Sequence, residues 1–241
     1  MINIGLACSD MERHRHLLIG GHLASRFPVI YLTGAPATGK STLARNLAAR
    51  FPAMRVFAYS EELRHHIARK TRTNLSEDQI RELSGTVVTA EDIRTLDQQL
   101  VQEVAVERLN RPFLIDSHPV TKEGYGFRVT GFDVETLRAL SPDFVVCLYT
   151  SPEVMRERIK RDAMGRPLVT EFEARMHTNL QTAVATQYGI LLGTPVYLID
   201  SAAAEEALVE TVAGKAGLTA RQRSADAATS SQVLKHPRGD G

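Results

Sequence analysis

The stretch GAPATGKST, residues 34–42, decides how this sequence is interpreted. It places two glycines five positions apart and follows the second with a lysine, a serine and a threonine, which is the G-x-x-x-x-G-K-[ST] pattern. An apolar run, PVIYL, precedes it, and LARNLAARF, with apolar residues at helical spacing, follows it. A strand, a glycine-rich loop and a helix in this order predict a phosphate-binding loop, and a chance glycine-rich turn is the alternative.

Each residue type in this loop has a chemical role. The glycines let the backbone curl until successive N–H groups face inward, and such a nest at a helix N-terminus binds an anion. We expect Lys40 to lie against the β- and γ-phosphates of ATP, and the Ser41 hydroxyl to bind Mg²⁺. The predicted nucleotide-binding residues are Gly34, Ala35, Pro36, Ala37, Thr38, Gly39, Lys40, Ser41 and Thr42.

Composition restricts the partners and the compartment. The 241 residues include 29 basic and 28 acidic side chains, and this balance gives no electrostatic case for binding nucleic acid or an anionic membrane. The two cysteines lack metal-ligand spacing, and a chain without a disulfide framework fits a reducing compartment. No apolar run approaches the ~18 residues of a membrane span. We therefore expect a cytoplasmic protein whose partners are nucleotide substrates.

Predicted strands and helices alternate along the chain. This alternation favours a parallel sheet covered by helices on both faces, a three-layer α/β/α fold. A domain over residues 28–216 then follows an N-terminal extension, 1–27, in which we expect a helix around His14–Leu23. The polar tail, 217–241, is predicted to be disordered. The predicted strands are 28–33, 54–59, 112–116, 143–149 and 195–200.

A second candidate for chemistry follows the apolar run FLID. The run ends at Asp116, and ligands of α/β proteins bind where the carboxyl ends of the strands meet. A carboxylate there can hold Mg²⁺ or its waters, whereas the alternative is an aspartate that caps the next turn. His118 can orient a phosphate or bind the acceptor, or it can be a structural histidine beside the sheet.

Arginines form a third group of candidates. The segment MRERIKRDAMGRP places Arg158 and Arg161 on one helix face and Arg166 beyond the helix. Arginines on a short mobile segment can neutralise charge on a transferring phosphoryl group, and a solvated basic face is the alternative. Arg64, in YSEELR, and Arg81, in DQIRELS, are candidates for binding an acceptor phosphate or are surface arginines.

The motifs follow one another in the order GAPATGKST, YSEELR, QIRELS, LIDSHPVTKEGYG and LSPDFVVCLYTSPEVMRERIKRD. This order resembles the archaeal-type adenylate kinases, which are P-loop nucleoside monophosphate kinases that move a phosphoryl group from MgATP to AMP. The resemblance covers roughly residues 28–200. It implies a P-loop NTPase fold with a five-stranded parallel sheet, a helical acceptor-binding segment at about 60–110 and a short lid at about 160–170.

The same resemblance indicates where the acceptor site differs. Lys122 stands where the archaeal enzymes often carry an arginine, and Arg128 is a further candidate for the acceptor phosphate. Thr182 occupies a position where those enzymes often have an arginine after the lid, and Arg175, two turns earlier, is the candidate replacement. The segment GYGFRVTGF replaces the G-Y-L-P-G-L-P element, so the acceptor pocket is altered.

We therefore predict an ATP-dependent nucleotide kinase that uses Mg²⁺, has AMP as its first-choice acceptor and acts by alignment and charge neutralisation. A P-loop kinase for a nucleoside, a metabolite or a 5′-hydroxyl end is one alternative, and it would need Asp116 or His118 as a base. An ATP-driven switch that binds a macromolecular partner through the extension and tail is the other. The predicted catalytic residues are Lys40, Asp116, Arg158, Arg161 and Arg166. The predicted acceptor-binding residues are Arg64, Arg81, His118, Lys122 and Arg128, and the predicted metal ligands are Ser41 and Asp116.

Overall fold

A computed structural model of the chain describes residues 16–19, 22–72, 88–161 and 168–218. Arg81, Arg166 and most of the predicted extension, lid and tail lie outside the described residues. The strands are β1 His16–Ile19, β2 His22–Ser25, β3 Val29–Gly34, β4 Arg55–Ala58, β5 Phe113–Asp116, β6 Val120–Glu123, β7 Gly126–Val129, β8 Phe144–Tyr149 and β9 Val196–Asp200. The helices are α1 Lys40–Arg50, α2 Tyr59–Thr71, α3 Ala90–Glu107, α4 Val134–Leu140, α5 Pro152–Arg161, α6 Glu171–Leu192 and α7 Glu205–Lys215.

The central sheet has the predicted architecture. Five strands pair in the order β4-β5-β3-β8-β9, and every neighbouring pair is parallel. The middle strand, β3, is buried along its whole length because β5 and β8 flank it and helices cover both faces. The glycine-rich loop that follows β3 therefore lies at the middle of the carboxyl edge of the sheet, where ligands of such folds bind.

Alternate residues of the sheet build two separate cores. Ile30 and Leu32 of β3 face a cluster that includes α1 and α7. Val29 and Tyr31 face the opposite cluster, to which α3, α4 and α6 contribute. This division follows from the strand geometry, since successive side chains point to opposite faces. The three layers of the predicted P-loop NTPase fold are thus present.

The expected helix around His14–Leu23 is wrong. Residues in this region form an antiparallel hairpin of β1 and β2, in which His16 pairs with Ser25 and Ile19 pairs with His22. The sequence has two glycines between these strands, and a Gly-Gly pair is typical of a two-residue hairpin loop rather than of a helix interior. This segment therefore contributes two short strands instead of a helix.

A second hairpin was not predicted from the sequence. Strands β6 and β7 pair antiparallel between β5 and α4, with Val120 opposite Val129 and Glu123 opposite Gly126. Gly126 has a φ of +143° and follows the turn, a conformation that glycine adopts readily. The hairpin carries Lys122 and Arg128, two of the predicted acceptor-binding residues.

Candidate active site

The glycine-rich loop is held in a conformation that two glycines make possible. A Cβ on Gly34 would lie 2.5 Å from the carbonyl oxygen of Leu148 on β8, so no other residue fits without displacement of the backbone. Gly39, at the entry to α1, is left-handed with a φ of +89°. The buried Thr38 hydroxyl donates to the Ala35 carbonyl at 2.7 Å and closes the loop on itself. The loop conformation is thus fixed by the chain itself.

The N-terminus of α1 has the features of an anion-binding site. Among the described residues, no side chain caps the helix at Gly39 and no acidic residue lies in its first turn. The first N–H groups of a helix lack partners inside the helix, and the helix dipole adds positive potential there. This end of α1 opens on the cleft, since residues Pro36 to Thr42 all line it. These features fit a phosphate group.

Lys40 and Asp116 bring opposite charges to the loop. The Lys40 ammonium donates to the carbonyl oxygens of Gly34 and Ala35, at 2.8 and 3.4 Å. Asp116 ends β5, beside Leu32 of β3 and Ala58 of β4. Burial raises the pKa of the Asp116 carboxyl, and the nearby Lys40 ammonium partly opposes that rise.

The donor set at the loop fits a magnesium ion that is bound together with a nucleotide. The Asp116 Oδ1 atom is buried and has no hydrogen-bond partner among the described residues, while the Ser41 hydroxyl is exposed on the first turn of α1. Both are hard oxygen ligands of the kind that Mg²⁺ prefers. In the described part of the chain, no group of three or more His, Cys, Asp and Glu residues could hold a metal ion by itself. Phosphate oxygens and water would have to supply the other ligands.

One cleft of about 910 Å³ brings most of the predicted site together. It runs along the carboxyl edge of the sheet, from the loop to α2, α3 and the β6–β7 hairpin. Gly34 and Ala35, the first two residues of the loop, are buried and do not line the cleft. The predicted residues that line it are Pro36, Ala37, Thr38, Gly39, Lys40, Ser41, Thr42, Arg64, Asp116, His118, Lys122, Arg128, Arg158 and Arg161.

The two candidate arginines of α5 differ in their surroundings. Arg158 donates to the Ala37 carbonyl at 3.2 Å and to the Ser201 carbonyl at 2.8 Å, so it ties α5 to the phosphate loop and to the turn after β9. Arg161 is exposed at the end of α5 and lines the cleft. Arg158 is therefore positioned by the backbone of the loop, whereas Arg161 extends from the last residue of its helix.

Three cations line the side of the cleft formed by α2 and the hairpin. Lys122 lies 3.2 Å from a carboxylate oxygen of Glu173, and Arg128 lies 3.0 Å from one of Glu123. Arg64, on α2, has a longer contact of 3.8 Å with Glu61. The fold thus gathers the candidates for an acceptor phosphate from two elements that are far apart in the sequence.

The suggested replacement of the family arginine is not supported. Arg175 donates to Glu171 at 2.6 Å on the exposed face of α6 and does not line the cleft. The Thr182 hydroxyl donates to the carbonyl oxygens of Thr178 and Asn179 in its own helix. From α6, the residues that line the cleft are Glu173, Ala174, His177 and Tyr188.

Sequence reasoning missed the residues that form the wall of the cleft near α2 and α3. The Tyr59 hydroxyl donates to Asp97 at 2.7 Å, and the Tyr59 ring lies 5.8 Å from that of Phe132. Tyr31 and Tyr188 continue this wall, with ring centroids 5.4 Å apart. The one available signal was weak, since Ile93 and Asp97 are four residues apart and share a helix face.

A glycine-rich loop between the central strand and a helix, with Lys40 over the loop and Asp116 beside it, defines the class of P-loop nucleotide-binding proteins. The family model described as the AAA domain matches residues 33–175. The chain belongs to this family.

The chain is also similar to known kinases. Adenylate kinases of Pyrococcus horikoshii and Pyrococcus abyssi are 27% and 26% identical to it over 174 residues, which is 72% of this chain and 86% of each relative. A shikimate kinase from Bacteroides thetaiotaomicron is 16% identical, with a TM-score of 0.49 over 79% of this chain and 99% of that structure. The two Pyrococcus matches confirm the resemblance to archaeal adenylate kinases and support a nucleotide kinase. Within the described residues, no helix has the length and apolar composition to cross a bilayer.

Proposed function

We propose that this protein transfers the γ-phosphoryl group of MgATP to AMP and forms two molecules of ADP. The observation that carries the proposal is that the phosphate loop and a separate group of cations line the same cleft. A nucleotide on the loop and a monophosphate among the cations would share this space. The similarity to archaeal adenylate kinases supports AMP as the acceptor.

On the nucleotide side, the loop and the start of α1 would bind the ATP phosphates through backbone N–H groups. Lys40 would place its ammonium on the β- and γ-phosphates. Ser41 and Asp116 would hold the magnesium ion that accompanies ATP, and this ion would neutralise phosphate charge. Arg158 already contacts the loop carbonyl of Ala37, so its guanidinium lies beside the phosphate site.

On the acceptor side, Arg64 would bind the phosphate of AMP, and Lys122 and Arg128 would hold it in line. An oxygen of that phosphate attacks the γ-phosphorus, a new P–O bond forms, and the bond to the oxygen of the departing ADP breaks. The acceptor oxygen is already a nucleophile at neutral pH, so no general base is needed. Catalysis then depends on alignment and on neutralising the transferred group, for which Arg161 is available.

The test is a panel of acceptors incubated with MgATP and followed by ADP formation and product mass. We expect AMP to give ADP as the product of both substrates. ADP formation with another acceptor but not with AMP would overturn the choice of acceptor. ATP hydrolysis without any phosphorylated acceptor would overturn the proposal that the protein is a kinase.

A hydroxyl acceptor is the second candidate, and one observation favours it. The Asp116 carboxyl has a raised pKa and an unpartnered, buried Oδ1 atom among the described residues. A carboxylate of that kind can accept a proton from an attacking hydroxyl. A nucleoside or sugar in the same panel would separate this activity from AMP phosphorylation, because its product gains a phosphate ester and not a phosphoanhydride.

A further inference from the structure

The side of the cleft formed by α2 and α3 carries a carboxylate that the proposed phosphate transfer does not use. Asp97 lies on α3 and lines the cleft together with Ile93, one turn earlier. Its Oδ1 atom accepts a hydrogen bond of 2.7 Å from the Tyr59 hydroxyl of α2. This contact joins α2 to α3, and the two bonded residues are 38 positions apart in the sequence. Asp97 is therefore held at a defined place in the wall of the cleft.

The surroundings of Asp97 suit a carboxylate that accepts a hydrogen bond from a neutral group. No cation of the described chain forms an ion pair with it. Burial raises the pKa of Asp97, the nearby Asp133 adds to that rise, and the hydrogen bond from Tyr59 opposes it. A carboxylate has about four lone-pair positions, and Tyr59 uses one of them. The others can accept N–H or O–H groups from a ligand in the cleft.

A phosphate is the wrong ligand for this position. Two negative groups in a partly buried site repel each other, and Arg64, Lys122 and Arg128 offer cations in the same cleft. The neighbours of Asp97 are instead an aromatic ring, Tyr59, which is packed against Phe132, and an aliphatic side chain, Ile93. Flat apolar walls with one polar group are typical of a site for a ring with a single hydrogen-bonding substituent.

We propose that Asp97 determines the base specificity of the acceptor by accepting a hydrogen bond from the exocyclic amino group of adenine. Tyr59 is the positioning residue that holds the carboxylate. This inference rests on the proposed function, because it assumes that a nucleoside monophosphate is the acceptor. Arg64 would hold the phosphate and Asp97 the base, so that α2, which carries Arg64 and Tyr59, contributes to both ends of one ligand.

The test is the Asp97→Asn variant, assayed with AMP and with IMP at saturating MgATP. IMP has a carbonyl oxygen where AMP has the amino group, so a carboxylate repels it and an amide can donate to it. We expect the ratio of kcat/KM for AMP over IMP to fall by about 10- to 100-fold, the size of one hydrogen bond to a charged group. The change should lie mainly in KM, because the base takes no part in the chemical step.

A matched control is Asp133→Asn. Asp133 is the exposed N-cap of α4, it raises the pKa of Asp97 through its charge, and it does not line the cleft. Asparagine caps a helix about as well as aspartate, so the variant removes one nearby charge and keeps the fold. We expect its AMP-to-IMP ratio to equal that of the wild type. A ratio that falls equally in both variants would show a general charge effect and would overturn the role of Asp97.

Two further arms keep the test decisive. The first compares AMP with 2′-deoxy-AMP, and the preference for AMP over 2′-deoxy-AMP should be the same in the wild type and in Asp97→Asn. If Asp97→Asn loses this preference while its AMP-to-IMP ratio stays unchanged, Asp97 contacts the sugar and the inference is overturned. The second is Tyr59→Phe, which keeps the Asp97 carboxylate but removes the hydrogen bond that positions it. This variant should lower the AMP-to-IMP ratio less than Asp97→Asn does. If Asp97→Asn does not fold, an unchanged ratio in Tyr59→Phe overturns the inference.

The two proposals fail in different ways. A wild-type protein that phosphorylates AMP, together with a folded Asp97→Asn variant of unchanged ratio, overturns the inference and leaves the kinase. A wild-type protein that phosphorylates neither AMP nor IMP overturns the proposed acceptor and this inference with it.

Discussion

Gly34 provides a direct test of the geometry of the loop. An alanine there would place its Cβ 2.5 Å from the carbonyl oxygen of Leu148, whereas such atoms essentially never come closer than 3.0 Å. The backbone of β3 or β8 must therefore move by about 0.5 Å at a position where the two strands are paired. The φ of +150° at Gly34 adds a conformation that side chains rarely adopt.

The expected loss of stability follows from these two effects. Backbone strain in such a rarely adopted conformation costs about 1–3 kcal/mol, and forcing extra volume into a packed site costs about 1–3 kcal/mol. Gly34→Ala should therefore lower the free energy of unfolding by roughly 2–6 kcal/mol. This is a large part of the roughly 5–15 kcal/mol that stabilises an ordinary domain. Urea unfolding followed by circular dichroism, without nucleotide, measures it.

Gly39→Ala is the matched control. Gly39 lies in the same loop and has a φ of +89°, but a Cβ there meets nothing within 4 Å. This variant should carry the strain alone, about 1–2 kcal/mol. If Gly34→Ala is no less stable than Gly39→Ala, the close approach of the loop to β8 is not as described and the reasoning is refuted.

Three further predictions concern charge. Lys40→Ala should lower turnover by about 10²-fold or more with the fold intact, because the variant loses one preorganised charge. The control is Lys160→Ala, which removes an exposed lysine on α5 and should have little effect. Near-normal turnover in a folded Lys40→Ala variant would contradict the proposal that the protein is a kinase. Arg64→Ala should raise the KM for AMP strongly and leave the affinity for ATP, measured by calorimetric titration, nearly unchanged. The control Arg94→Ala, at an exposed position on α3, should change neither quantity. Equal loss of affinity for both nucleotides would place Arg64 outside the acceptor site. Burial alone would raise the pKa of the Asp92 carboxyl, but hydrogen bonds from Lys70, Thr89 and His66 outweigh burial and hold this pKa below its usual value. The stability that Asp92 contributes is therefore present above the unfolded pKa near 4 and is lost as the pH falls further. Urea unfolding between pH 5 and 2.5 should show a steeper loss for wild type than for Asp92→Asn, and parallel curves would contradict this linkage.

The loop and the sheet could be predicted because their signals are local. The phosphate loop consists of consecutive residues, and its pattern requires a strand before it and a helix after it. The five parallel strands are short apolar runs separated by helices, and each lies within a few residues of its predicted position. Asp116 could be placed at the carboxyl edge because it ends such a run.

The two hairpins could not be predicted from the same signals. Strands β6 and β7 have four residues each, and neither is fully buried, so their apolar pattern is too short to distinguish from a loop. The N-terminal hairpin, where a helix was expected around His14–Leu23, consists of two strands of only four residues each. Short strands depend on their partner, and the pairing appears only in three dimensions.

The wall around Asp97 could not be predicted because no local motif contains it. Tyr59, Asp97 and Phe132 come from three separate elements, and only the packing of α2 against α3 and the return of the chain after β7 bring them together. A sequence pattern therefore finds the part of the proposed site that is built from consecutive residues. The part proposed to bind the acceptor depends on contacts between distant residues.

The ion pairs of the three acceptor-side cations indicate the order in which they would meet a phosphate. Lys122 and Arg128 lie 3.2 and 3.0 Å from their carboxylate partners, so a phosphate must compete with a charge that is already in contact. Arg64 lies 3.8 Å from Glu61, and this partly exposed pair is of a kind that contributes little energy. Exchanging it for a bidentate phosphate contact costs the least. We therefore expect Arg64 to bind the acceptor first, and Lys122 and Arg128 to adjust their contacts around the phosphate that it holds.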